Sequence, residues 1–153
     1  MRPDVVGVIL AGGQSRRMGG GDKALKLLAG RPILNHVIDR VRGQVGALVL
    51  NANGDPGRFA AYRLPVVPDG VDGFAGPLAG VLAGLDWAAA NAVGATRVAS
   101  FPCDAPFLPA DLVERLVAAV AAARADLGCA ASAGRAHPVV GLWPLRLRAD
   151  LRR

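Results

Sequence analysis

An apolar run of Val5, Val6, Val8, Ile9 and Leu10 leads straight into a loop that holds five glycines, two arginines and a lysine before Leu25. The run reads as a strand. Gly12, Gly13, Gly19, Gly20 and Gly21 let the backbone approach a ligand closely and take left-handed angles, so that successive N–H groups can point at one anion. Arg16, Arg17 and Lys23 add mobile positive charge beside that cradle. Open α/β sheets bind ligands just beyond the carboxyl ends of their strands, which is where this loop stands. The pattern predicts a polyphosphate loop; the bland alternative is a flexible basic surface loop.

Two better-known phosphate motifs do not fit. A Walker A loop needs Gly-Lys followed by Ser or Thr, whereas here Asp22 precedes Lys23 and Ala24 follows it. The dinucleotide fingerprint Gly-x-Gly-x-x-Gly fails because Gly12 and Gly13 are adjacent and Arg16 and Arg17 interrupt the spacing.

Beyond the loop, apolar runs alternate with helical patterns, which predicts an α/β fold with a mostly parallel sheet covered by helices. Arg31-Pro32 opens a helix with Ile33, Leu34, Val37, Ile38 and Val41 on one face, ending at Gly43. Residues 47–50 and 65–67 read as strands two and three. Gly76 to Gly80 opens a helix with Val81, Leu82, Leu85 and Ala89 on its core side. Residues 97–101 form strand four. Pro109-Ala110-Asp111 starts a helix striped by Leu112, Val113, Leu116, Val117 and Val120, with Asp111 and Glu114 suiting the helix dipole. Residues 127–131 and 139–142 read as two further strands around a turn at residues 132–134. Residues 145–153 look like the first turns of a helix that stops.

A chain of 153 residues is enough for one domain, residues 1–153, with a real core. Its 52% hydrophobic and 20% charged residues argue against disorder. The longest apolar stretch, residues 112–131, is interrupted by Glu114, Arg115, Arg124 and Asp126, so no membrane span is expected. The first apolar run is too short and too poorly flanked for a signal peptide, and Arg16-Arg17 is followed by no apolar segment. Cys103 and Cys129 lack metal-type spacing and read as two buried thiols of a cytoplasmic protein. The net charge of +6 invites a nucleic-acid reading. The positive residues are mostly arginines spread along the chain, however, the only lysines being Lys23 and Lys26, and no basic run is interleaved with aromatics. Charge facing a polyphosphate is the simpler account.

Polar residues gather just after the strands: the glycine loop, then Asn51 and Asn53, then Asp69, then Asp104. In a parallel sheet these ends share one edge and converge on one cleft. A carboxylate beside a polyphosphate loop suits Mg²⁺, which takes one or two carboxylates plus substrate phosphates. The alternative for Asp69 and Asp104 is a turn or cap hydrogen bond. His36 reads as a solvated helix residue, and no nucleophilic triad can be assembled. Reaction at phosphorus by an anionic nucleophile needs no general base; it needs in-line positioning and neutralised leaving-group charge.

Leu10-Ala11-Gly12-Gly13, Arg17-Met18-Gly19 and Asp22-Lys23 together resemble the signature of the molybdenum cofactor guanylyltransferases. Later segments agree in order: Asn51-Ala52-Asn53, Val67-Pro68-Asp69, Gly76-Pro77-Leu78-Ala79-Gly80, Pro102-Cys103-Asp104-Ala105-Pro106-Phe107, His137-Pro138-Val139 and Gly141-Leu142-Trp143. The resemblance implies a three-layer α/β sandwich of the nucleotide-diphospho-sugar-transferase type, related to the Rossmann fold. It implies transfer of GMP from GTP to molybdopterin-bound molybdenum, giving molybdopterin guanine dinucleotide and pyrophosphate, with Mg²⁺ as cofactor. Leu10, Ala11, Gly12 and Gly13 would hold the nucleotide, and Arg17 and Lys23 would neutralise the triphosphate. Asn51 and Asp69 would lie in the GTP site, Asp104 would bind Mg²⁺ and nucleotide, and Gly76 and Gly80 would allow close approach near the second substrate. Molybdoenzymes or their chaperones are implied partners; nucleic acid and membrane are not. Cytidylyl transfer to the same cofactor, or a non-catalytic GTP- or cofactor-binding role, are the competing readings. Family members continue with a further helix beyond the point where this chain stops, so the sequence is expected to be C-terminally truncated.

Overall fold

The computed structural model describes residues 1–12, 23–70 and 76–152. Its sheet is organised around β1 (Arg2–Leu10), which runs parallel to β4 (Val45–Asn51) on one side and β6 (Arg97–Pro102) on the other. Val5, Val6, Val8 and Ile9 are each at most 1% exposed, as expected of a central parallel strand covered on both faces. β5 (Val66–Val67) extends the parallel side beyond β4. The other side turns antiparallel: β8 (Arg135–Pro144) pairs with β6, and β7 (Gly128–Ser132) pairs with β8. The order is β5-β4-β1-β6-β8-β7.

The period of two along the strands sends alternate residues to opposite faces. Val5 and Ile9 of β1 join Leu48, Leu50, Ala99 and Phe101 in a core covered by α1 (Ile33–Val41) and α3 (Leu112–Ala123). Val6 and Val8 join Val49 and Val98 beneath α2 (Pro77–Asn91), through Val81, Leu85 and Ala88. Helices therefore cover both faces of a mostly parallel sheet, as the alternating pattern predicts. A short α4 (Arg148–Leu151) leans on α2, where Arg148 and Arg152 both pair with Asp86.

Several local expectations change. A small hairpin of β2 (Leu27–Leu28) and β3 (Arg31–Pro32) precedes α1, so Arg31-Pro32 is strand rather than helix start. His36 is half-buried, and its Nε2 lies 2.8 Å from the Leu28 carbonyl oxygen, which ties α1 to that hairpin. On α2 it is Ala88, not Ala89, that faces the core, because the packed stripe follows Val81 and Leu85. Cys103 is half-buried and Cys129 is exposed on β7 near the sheet edge, so the expected pair of buried thiols is not found.

α3 is capped from elsewhere in the chain. Asp111 makes no cap hydrogen bond; instead the Val113 N–H donates to Gln44 Oε1 at 2.9 Å. Gln44 Nε2 donates to the carbonyls of Arg40 (2.8 Å) and Pro109 (3.0 Å), fastening the end of α1 to the start of α3. Gln44 is 8% exposed, so its loss strands polar groups away from water. Gln44→Ala is expected to lower unfolding free energy by about 1–3 kcal/mol in a urea titration, and an unchanged midpoint would contradict this role.

Candidate functional site

The carboxyl ends of β1, β4, β5 and β6 share one edge, and a cavity of ≈ 230 Å³ opens there. It is lined by Leu10 and Gly12 after β1, Asn51 of β4, Asp69 after β5, Gly76 and Pro77 at the start of α2, Pro102 of β6 and Val139 of β8. Strand ends from distant parts of the sequence thus converge on one cleft.

Three side chains on the β4–β5 wall form a closed polar cluster. Asn51, 2% exposed, donates through Nδ2 to Asp69 Oδ1 (3.0 Å) and to the Val67 carbonyl (3.1 Å). Asn53 Nδ2 donates to Asp69 Oδ2 (2.9 Å), while the Asp69 N–H donates to Asn53 Oδ1 (2.9 Å). Both Asp69 oxygens are therefore oriented by amides from the neighbouring strand end, and such charge-assisted bonds are the stronger kind.

The opposite wall is α2. A Cβ at Gly80 would run into Asn51 Oδ1 and stand 2.7 Å from Leu10 Cδ2, so only a glycine lets the helix lie against the ends of β1 and β4. Gly76 has φ +102° and ψ −179°, a region essentially restricted to glycine, and no side chain caps the helix there. The positive end of the α2 dipole consequently borders the cavity through Gly76 and Pro77.

Residues 7–153 match the family model described as the MobA-like NTP transferase domain. The chain belongs to the MobA-like NTP transferase family. The molybdenum cofactor guanylyltransferase of Bradyrhizobium sp. (strain ORS 278) is 63% identical to it over 148 residues, covering 97% of this chain and 70% of the relative. That of Rhodopseudomonas palustris (strain BisB5) is 60% identical over 151 residues, covering 99% and 72%. In fold it is similar to the molybdopterin-guanine dinucleotide biosynthesis protein A of Archaeoglobus fulgidus, at a TM-score of 0.74 and 19% identity over 97% of this chain and 71% of that one.

In this MobA-like domain, Leu10, Gly12, Asn51, Asp69 and Gly76 meet at the cavity as the sequence suggests. Ala11 is 8% exposed, and its N–H donates to the Asn51 carbonyl at 2.8 Å; any contact from Ala11 therefore falls to its carbonyl. Gly80 is buried against Asn51 and Leu10, so the close approach it allows is to side chains of the strand ends rather than to open space for a second substrate. Asp104 is exposed just beyond β6, and no hydrogen bond or ion pair ties its carboxylate to another described residue. Lys23 is exposed at the start of a short 3-10 turn, Lys23–Leu25. Neither Asp104 nor Lys23 lines the cavity. Gly13, Arg16 and Arg17 lie outside the described residues.

Sequence reasoning did not foresee how β8 shapes this cleft. Adjacent β7 residues Cys129 and Ala130 pair with Gly141 and His137, so Pro138, Val139 and Val140 bulge from the ladder. Fully buried Ser100 holds the bulge: its hydroxyl donates to the Val139 carbonyl (2.8 Å) and accepts from Trp143 Nε1 (2.9 Å) and the Gly141 N–H (3.3 Å). The one available signal is a lone serine inside the apolar strand of residues 97–101. Beyond Val139 and Pro102 the cleft adjoins a larger groove of ≈ 1020 Å³ between α3 and the β7–β8 hairpin, with exposed Phe107 at its side.

The tight seat of α2 yields a direct test. Gly80→Ala is expected to cost roughly 1–3 kcal/mol of stability by overpacking, whereas Gly43→Ala, with open space around it, should change the urea midpoint little. Equal effects at the two positions would contradict the close approach.

Proposed function

We propose that this chain transfers the GMP moiety of GTP to the terminal phosphate of molybdopterin-bound molybdenum cofactor, forming molybdopterin guanine dinucleotide and releasing pyrophosphate. The observation that carries this reading is the convergence of Gly12, Asn51, Asp69 and Gly76 on one strand-end cleft, in a chain of the MobA-like family that is 63% identical to a molybdenum cofactor guanylyltransferase. Residues 1–153 are read as a single nucleotidyltransferase domain.

Leu10, the Ala11 carbonyl, Gly12 and Gly13 hold the nucleotide through backbone contacts. Asn51 and Asp69 belong to the GTP site, where carboxylate and amide oxygens suit the N–H donors of guanine. Arg17 and Lys23 neutralise the triphosphate. Gly76, at the start of α2, borders the acceptor side.

Asp104 fits a Mg²⁺ ligand, because its exposed carboxylate is tied to no other described residue and Mg²⁺ commonly uses one or two carboxylates plus substrate phosphates and waters. When bound, the metal supplies Lewis-acid stabilisation of phosphoryl oxygens.

The acceptor phosphate oxygen is already anionic, so no side chain has to remove a proton from it. It forms a bond to the α-phosphorus as the bond to pyrophosphate breaks, and the chain's task is alignment and charge neutralisation. This agrees with the histidines: His36 Nε2 is engaged with the Leu28 carbonyl and His137 Nε2 with Ser132 Oγ, and neither lines the cavity. Among the described residues no helix is long and apolar enough to cross a membrane. The reading places the reaction in the cytoplasm, with molybdoenzymes or their chaperones receiving the product and no role for nucleic acid.

Incubation with GTP, Mg²⁺ and molybdenum cofactor should release pyrophosphate and yield the guanine dinucleotide. GTP binding without release would instead indicate a carrier, and preferential use of CTP a cytidylyltransferase. Lys23→Ala should lower the rate by about 10²–10³-fold, as loss of one preorganised charge stabiliser does. Asp104→Asn should raise the Mg²⁺ concentration needed for half-maximal rate; an unchanged metal dependence would remove Asp104 from the metal site.

A further inference from the structure

We infer that Asn53 is a positioning residue for the nucleotide site: its side-chain amide holds the Asp69 carboxylate in the orientation that GTP meets. The inference rests on Asp69 belonging to the GTP site. Its own ground is the doubled connection between the two residues, which engages both polar atoms of one amide with a single partner. Asn53 Nδ2 donates to Asp69 Oδ2 at 2.9 Å, and Asn53 Oδ1 accepts the Asp69 N–H at 2.9 Å. The first contact fixes the carboxylate and the second fixes the backbone that carries it.

Asn51 cannot do this alone. Its Nδ2 reaches only Asp69 Oδ1 and shares its hydrogens with the Val67 carbonyl, so without Asn53 a single side-chain hydrogen bond resists turning of the whole carboxylate about its Cβ–Cγ bond. Asn53 is itself anchored: its carbonyl accepts from Arg58 Nη2 at 2.7 Å, and the Arg58 guanidinium lies 4.4 Å from the centre of the Phe59 ring. A Cβ at Gly12 would stand 3.3 Å from Asn53 Nδ2, so the same amide abuts the start of the glycine loop. Asn53 thus joins three strand ends, those of β1, β4 and β5. Its exposure matters for the test, since substitution there opens no core.

GTP affinity, measured by calorimetric titration with Mg²⁺ present, reads the effect without the acceptor. Asn53→Ala should weaken GTP binding roughly tenfold, the size expected for losing a hydrogen bond to a charged group, with little change in melting temperature. Asp69→Ala should weaken binding at least as much. Because Asn53 acts through Asp69, the double variant should bind no more weakly than Asp69→Ala alone. Additive losses would overturn the inference and assign Asn53 an independent contact.

Asn53→Asp supplies a second readout. It keeps the acceptor for the Asp69 N–H but sets a carboxylate against Oδ2, and two such groups titrate as a pair with one pKa raised. Below that raised value a shared proton restores a donor between them; above it both ionise and repel. GTP affinity of Asn53→Asp should therefore fall as pH rises through that raised value, more steeply than that of the unaltered protein over the same range, in which Arg58 is the neighbouring cation. A pH profile parallel to that of the unaltered protein would overturn the inference. If Asp69→Ala leaves GTP affinity unchanged, the placing of Asp69 in the GTP site fails first. If Asp69→Ala weakens binding while Asn53→Ala and Asn53→Asp do not, only the positioning role fails.

Discussion

Everything at the cleft depends on β1 being gripped from both edges and both faces. Parallel ladders to β4 and β6 bring the ends of three strands level, at Leu10, Asn51 and Pro102. Apolar residues on alternate sides of β1 anchor α2 on one face and α1 with α3 on the other. Burial of large apolar side chains contributes about 1.5–3 kcal/mol each, and here that contribution also fixes where the polar strand ends point. The glycine loop begins where this rigid strand stops.

Much of this arrangement was legible in the sequence. The apolar stripes of α1 and α3, the strand runs, and the gathering of Asn51, Asn53, Asp69 and Asp104 after strands all follow from residue periodicity and turn chemistry. The β2–β3 hairpin was not legible, since two-residue strands carry no period to detect. Gln44 reads as an ordinary polar residue; its capping of α3 spans 69 residues of chain and exists only once the helices are packed. Ser100 was hidden for the same reason, because a serine within an apolar strand acquires meaning only from the bulge it meets. The exposure of Cys129 follows from β7 being an edge strand, which the composition of that strand does not announce.

The sheet divides its labour at β6. The parallel side, from β6 to β5, brings Asn51 and Asp69 to the cleft, with Asn53 bound beside them. The antiparallel side contributes shape: β8 bends outward at Pro138, Val139 and Val140 and places Val139 against the cavity that Asn51 and Asp69 border. A buried hydroxyl with three partners makes that bend stable, since the bulged Val139 carbonyl that it satisfies would otherwise be costly to bury, and its bonds to Gly141 and Trp143 fix the strand just beyond.

The seat of α2 against Asn51 has an evolutionary consequence. With Gly80 pressed onto that side chain, neither position can enlarge unless the other yields, so the two are locked into joint change. Asn53 and Asp69 are bound to each other by two hydrogen bonds, so they form a second pair whose members answer to one another. A lineage altering which nucleotide this cleft accepts would have to move its residues in company, 51 with 80 and 53 with 69.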